Sequence, residues 1–116
     1  MTPTAADVTA TYFQAWLAKD SQLLRSILAE EVTFDGPLAR LRGADDVAAG
    51  LERLSRITID ITIHKRFIDD QDVLTWFDLH TAIAAPVPVA NWSHVEDGKI
   101  TRITVAFDPR GILAGN

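Results

Sequence analysis

The chain has 116 residues, about one domain and too short for two independent cores, with 47% hydrophobic and 23% charged residues, as in ordinary globular proteins. The 11 Lys and Arg against 16 Asp and Glu leave a formal net charge of −5, which gives no electrostatic pull towards nucleic acid or an anionic membrane. No apolar run reaches the ~20 residues of a membrane span, Met1–Asp7 lacks the pattern of a signal peptide, and the absence of Cys excludes disulfides, thiolate metal sites and cysteine nucleophiles, so a cytoplasmic protein is expected.

The elements follow in chain order. Thr4 or Asp7 can cap a first helix whose apolar positions Val8, Tyr12, Ala15, Trp16 and Leu17 fall near helical spacing. Lys19-Asp20-Ser21 breaks it, and a second helix carries Leu23, Leu24, Ile27 and Leu28. Val32-Thr33-Phe34-Asp35 reads as a short strand stopped by Gly36-Pro37, followed by a turn or short arm from Leu38 to Gly43. Ala44 to Leu54 is helical, with Val47, Leu51 and Leu54 on one side.

After Arg56 the period changes. Ile57, Ile59, Ile61 and Ile63 alternate with polar residues, a strand expected to turn its isoleucines to the helices. Asp69 to Asp72 is a polar turn, and strands follow at Val73–Ala84, Pro86–Glu96 and Lys99–Phe107, the last two joined by an Asp97-Gly98 hairpin turn. Pro88 marks an edge or bulge. Ile103, Val105 and Phe107 share a face of the last strand. Helices first and consecutive hairpins after make an α+β fold, three N-terminal helices packed on one face of a mainly antiparallel sheet, residues 1–116 forming one domain.

That order resembles the SnoaL-like group of the nuclear transport factor two-like superfamily. Five pieces carry the likeness: Ala18-Lys19-Asp20, Leu28 to Phe34, Leu41-Arg42-Gly43-Ala44, Val95 to Ile100, and Phe107-Asp108-Pro109. The resemblance implies a cystatin-like cone, a curved sheet and helices enclosing a pocket for small apolar molecules. It specifies the fold and leaves the reaction open, since such proteins include isomerases, polyketide cyclases, epoxide hydrolases, dehydratases and pure binders. Against ketosteroid isomerases, Thr11 to Pro37 aligns without a gap. The resemblance then puts Tyr12 on the catalytic tyrosine and Asn91 near the second oxyanion donor. The base position reads Gly36, with Asp35 one residue earlier, and a single step along a strand reverses side-chain direction unless a bulge intervenes. Against limonene-epoxide-hydrolase-like proteins, no arginine stands beside Asp78 and the last-strand aspartate position reads Val105.

Asp78 and His80 lie two apart on one strand and share a face with Trp76, opposite Phe77, Leu79 and Thr81. Facing a pocket they could act as base and partner; otherwise they face water or a subunit interface. The pocket reading is preferred, because Trp76 would otherwise be exposed. Asp35, among Phe34, Trp16 and Leu38, would have a raised pKa suited to a base; the preferred alternative is a turn aspartate bonded to backbone amides. Tyr12 is either a core tyrosine or a donor, and Asn91, once buried, must pair within the fold or with a ligand. Trp16, Phe34, Trp76 and Phe107 are the candidate substrate contacts. His64 and His94 are expected in solvent.

No His/Asp/Glu spacing resembles a metal site, and neither a glycine-rich phosphate cradle nor a nucleophile elbow occurs, so neither a metal nor a cofactor is expected. The leading expectation is a cofactor-independent acid/base enzyme of isomerase, cyclase or dehydratase type, acting on a small apolar metabolite and assembled as a homodimer. The alternatives are a non-catalytic ligand-binding protein of the same fold, an epoxide hydrolase of the limonene type, and an interaction module.

Overall fold

The computed structural model describes residues 2–115. Thr4 starts α1 (Ala5–Ala18) with a capping box: its hydroxyl accepts from the Asp7 amide while the Asp7 carboxylate accepts from the Thr4 N–H. Lys19, at φ 57°, ends that helix in the left-handed conformation. Asp20 then caps α2 (Ser21–Ser26) by accepting from the Leu23 N–H. The remaining elements are β1 (Leu28–Asp35), β2 (Arg40–Arg42), α3 (Ala44–Ile57), β3 (Thr58–Asp69), β4 (Asp72–Thr81), β5 (Val87–Glu96), β6 (Lys99–Ala106) and α4 (Arg110–Ala114). Leu28 therefore opens a strand instead of ending α2. The arm after Pro37 is a strand, and α4 follows where sequence patterning shows no element.

The six strands form one curved sheet in the order β2-β1-β6-β5-β4-β3. All neighbours are antiparallel except β1 and β6, which run parallel. Asp97 and Gly98, at φ 52° and 75°, make the two-residue turn between β5 and β6, where paired positive φ values match the twist of the strands. α1 and α3 pack on the concave face. α3 buries Ala44, Val47, Leu51 and Ser55 and exposes Asp45, Asp46, Arg53 and Arg56. This is the stripe that an amphipathic helix needs to sit on a sheet. The chain folds as the α+β arrangement expected from its pattern, with the curved sheet that the resemblance implies.

The isoleucine series corrects one expectation. Of Ile57, Ile59, Ile61 and Ile63, only Ile61 is buried, and Ile59 is 66% exposed. Ile57 is the last residue of α3, and the β3–β4 register shifts between Thr58 and Asp60 and again between Ile63 and Lys65. The first bulge breaks the alternation at Ile59, whereas Ile61 and Ile63 pair in unbroken register with the inward Leu79 and Phe77, and Ile63 keeps that inward parity while remaining 40% exposed.

Candidate functional site

A cavity of about 30 Å³ lies between the helices and the concave face of the sheet. α1 contributes Tyr12 and Trp16, α3 contributes Leu51 and Leu54, and β1 contributes Phe34. The sheet beneath supplies Phe77 and Leu79 of β4, Val89 and Asn91 of β5, Val105 of β6 and Phe107 just beyond it. The space is the size of two or three water molecules, on a scale where ~10–15 Å³ holds one. Its surface is carbon throughout.

Aromatic packing shapes the wall. Phe77 meets the Phe13 and Trp16 rings edge-on at centroid distances of 5.2 and 5.9 Å, and Tyr12 meets Trp16 at 6.0 Å. The indole N–H of Trp16 donates to the Thr58 hydroxyl at 3.0 Å, which itself donates to the Leu54 carbonyl at 2.8 Å. That chain fixes the ring and ties α1 to the end of α3.

Behind the carbon surface runs a short polar chain. The Asn91 amide donates to the Tyr12 hydroxyl oxygen at 3.3 Å, and the Ser93 hydroxyl donates to the Asn91 carbonyl oxygen at 3.1 Å. All three residues are buried. Among the hydrogen bonds of the described residues Tyr12 donates none, so its proton is unspent. Burial pushes the Tyr12 pKa above its ordinary value, against a smaller opposing effect of the Asn91 hydrogen bond. Tyr12 is therefore a neutral donor at any physiological pH. Thr75, the cross-strand partner of Asn91, is also buried with its hydroxyl unpaired.

The remaining polar candidates do not join this group. Asp78, His80 and Trp76 point away from the cavity, a correction to their expected orientation. Phe77 and Leu79, with Val73 and Thr75, take the inner positions of β4 and are buried, which forces the alternate residues outwards. Trp76 is left 43% exposed. Asp78 lies 3.0 Å from His64 Nε2, and His80 Nε2 lies 2.9 Å from the Thr62 hydroxyl, all on the outer face. His94 is not free in solvent either: its Nδ1 is 2.8 Å from Asp72, which also accepts from the Trp92 indole at 2.8 Å. These contacts hold the Asp72 pKa below the usual carboxylate range, the His94 bond contributing most.

Asp35 is corrected in the same way. It alternates with the cavity-lining Phe34 and accepts from Arg40 at 3.0 Å and Arg42 at 3.1 Å. These two hydrogen bonds, Arg40 first, lower its pKa, the reverse of the raised value a base in an apolar site would have. Arginines, not backbone amides, hold it. At Gly36 a Cβ would point inwards, 3.2 Å from Phe34 Cε1 and 3.6 Å from Val105 Cβ. No side chain stands where a base could enter the cavity from β1.

Of the residues singled out from sequence, Tyr12, Asn91, Trp16, Phe34 and Phe107 thus line one cavity. Leu51, Leu54, Phe77, Leu79, Val89 and Val105 complete it. The parity of β4 held the missing signal: Phe77 and Leu79 are as apolar as Trp76 and carry no charge between them.

The helices and the sheet of this α+β cone hold an apolar cavity between them, with polar groups buried in its wall. The SnoaL-like domain model matches residues 9–103, and the chain belongs to that family. A Kribbella flavida protein is 28% identical, with a TM-score of 0.88 over 94% of this chain and 90% of that one. An NTF2-like protein from Cytophaga hutchinsonii is 24% identical, with a TM-score of 0.86 and 97% of both chains covered. An LEH-like epoxide hydrolase from M. tuberculosis is 22% identical, with a TM-score of 0.79 over 96% of this chain and 87% of that one. No curated protein matches the sequence. Among the described residues no helix is long and apolar enough to cross a membrane.

Proposed function

We propose that this chain binds a small apolar molecule bearing one hydrogen-bond-accepting oxygen, and that it holds the ligand without transferring a proton. One observation carries the reading: the cavity is lined by aliphatic and aromatic side chains and Asn91, and its sole titratable group is the neutral Tyr12. Acid/base catalysis needs a group that accepts a proton within reach of the substrate. Asp78, His80 and Asp35 are all turned elsewhere. The Tyr12 hydroxyl and the Asn91 amide, buried just behind the carbon surface, become the polar handle once the wall gives way to a ligand, which suits a carbonyl or ether oxygen on an otherwise apolar frame. The reading also includes a homodimer formed through the outer face of the sheet.

The test is ligand binding measured alongside proton exchange. Ketones from cyclohexanone to a steroid enone are titrated against the protein in D2O, and α-deuterium incorporation is followed by NMR. Saturable binding that Leu54→Trp abolishes, with exchange at the buffer rate, is the expected result. Gly36→Asp then serves as the positive control, since its carboxylate would enter the cavity beside Phe34 and Val105. Exchange accelerated by the wild-type chain itself would overturn the proposal.

A further inference from the structure

A cavity of about 30 Å³ has no room for an organic ligand, so part of its wall must move to admit one. The parts of that wall are not equally held. α1 is tied to α3 by the Trp16–Thr58 bond and by the Lys19 ammonium, which donates to the Ser55 and Thr58 carbonyls. The strands are held by their ladders. Residues 108–115 are different, because among the described residues all their hydrogen bonds are internal. The Asp108 carboxylate accepts from the Arg110 amide and guanidinium, the Leu113 N–H donates to the Pro109 carbonyl, and the Gly115 N–H donates to the Gly111 carbonyl.

Apolar contact alone seats this segment on the body. Ile112 is buried in the main core, where the partly buried Ile83 and Ala84 of the β4–β5 connection also pack. The glycine that follows α4, Gly115, lets it approach that connection closely. A Cβ on Gly111 would lie 3.7 Å from Ala84 Cβ, and one on Gly115 would collide with the Ile83 carbonyl. The contact falls at the end of the sheet where β1, β4 and β6 finish, close in sequence to the cavity residues Phe34, Leu79 and Phe107. An element fastened by one apolar anchor and no cross-bonds belongs to the low-stability end of a fold, from which opening elements are drawn.

We propose that the C-terminal segment starting at Phe107 is the cover of the cavity: it hinges after Ala106, where β6 ends, withdraws Ile112, and carries Phe107 off the wall to open a path for an apolar ligand. The inference rests on reading the cavity as a ligand site, but its test does not require a ligand.

The chain has no cysteine and three tryptophans. Trp76→Phe with Trp92→Phe leaves Trp16, on the cavity wall, as the one fluorescent reporter. Into that background go Ala84→Cys and Gly111→Cys, whose 3.7 Å Cβ separation matches the ~3.8 Å of a disulfide. Oxidation should lock α4 and lower the acrylamide quenching constant of Trp16 about tenfold, and reduction should restore it. Entry of N-phenyl-1-naphthylamine should slow in parallel. Equal quenching in the two forms would overturn the proposal. Should the disulfide not form, Ile112→Ala must raise Trp16 quenching well above the rise caused by Leu24→Ala, an equal truncation elsewhere in the core; equal rises would also overturn it. A naphthylamine that never binds, with quenching still following the disulfide, would sink the ligand reading and support the cover.

Discussion

Tyr12 is the one tyrosine in the chain, and its buried hydroxyl accepts from Asn91. Burial raises its folded-state pKa, so the folded protein resists losing a proton that an unfolded tyrosine loses near pH ~10. The sign follows: a raised folded pKa contributes stability that is present below the unfolded value and lost as pH climbs past it. Tyrosinate absorbance should therefore stay flat through pH 10 and appear only as the protein unfolds, in the same transition as the loss of secondary structure. Tyr12→Phe should remove this part of the alkaline destabilisation. A reversible tyrosinate titration near pH 10 in the folded state would show the hydroxyl to be open to solvent. That Tyr12 and Asn91 meet was legible in the sequence only through the resemblance. They lie 79 residues apart, and no local pattern couples them.

At the scale of elements, the legible features were those with a single local cause. Thr4 and Asp7 at a helix start, Asp97-Gly98 between two strands, and the apolar stripe of α3 each admit one structure. β4 admitted two, because Trp76 and Phe77 offer an aromatic ring to either face and only the helices decide which is buried. β3 misled more thoroughly, since bulges leave no mark in a run of alternating isoleucines. The parallel pairing of β1 with β6 joins residues such as Phe34 and Ile103, whose neighbourhood depends on the whole sheet. The contrast within β3 is measurable. Ile61→Ala should cost roughly 2–5 kcal/mol, the range for a buried aliphatic side chain, while Ile59→Ala should stay within about 0.5 kcal/mol. Equal losses in urea denaturation would mean that the bulge between Thr58 and Asp60 is absent.

For the whole molecule, the outer face of the sheet is the exposed apolar surface. The register aligns Phe67, Leu74, Trp92 and Thr104 in one row across it, and Lys65, Trp76, Ala90 and Ala106 in the next. Phe67, Leu74, Trp76 and Trp92 are each between 40% and 55% exposed, a grouping that isolated chains seldom present. Charge is unevenly spread around this centre. Arg40, Arg42 and Arg102 lie towards β2, β1 and β6, with Asp35 among them, whereas Asp60, Asp72 and Asp78 lie towards β3 and β4, with Lys65. A two-fold axis through the Ala90–Ala106 pair would set the basic end of one copy over the acidic end of the other, with the tryptophans buried between them. Such self-complementarity is what an isologous interface requires. The expected result is a species of twice the 12.8 kDa chain mass in sedimentation equilibrium at high micromolar concentration. Ala90→Glu, which puts a carboxylate next to the axis against its own copy, should split that species without changing Trp16 emission. A wild-type monomer under these conditions would mean that the aromatic face serves something other than a second copy of this chain.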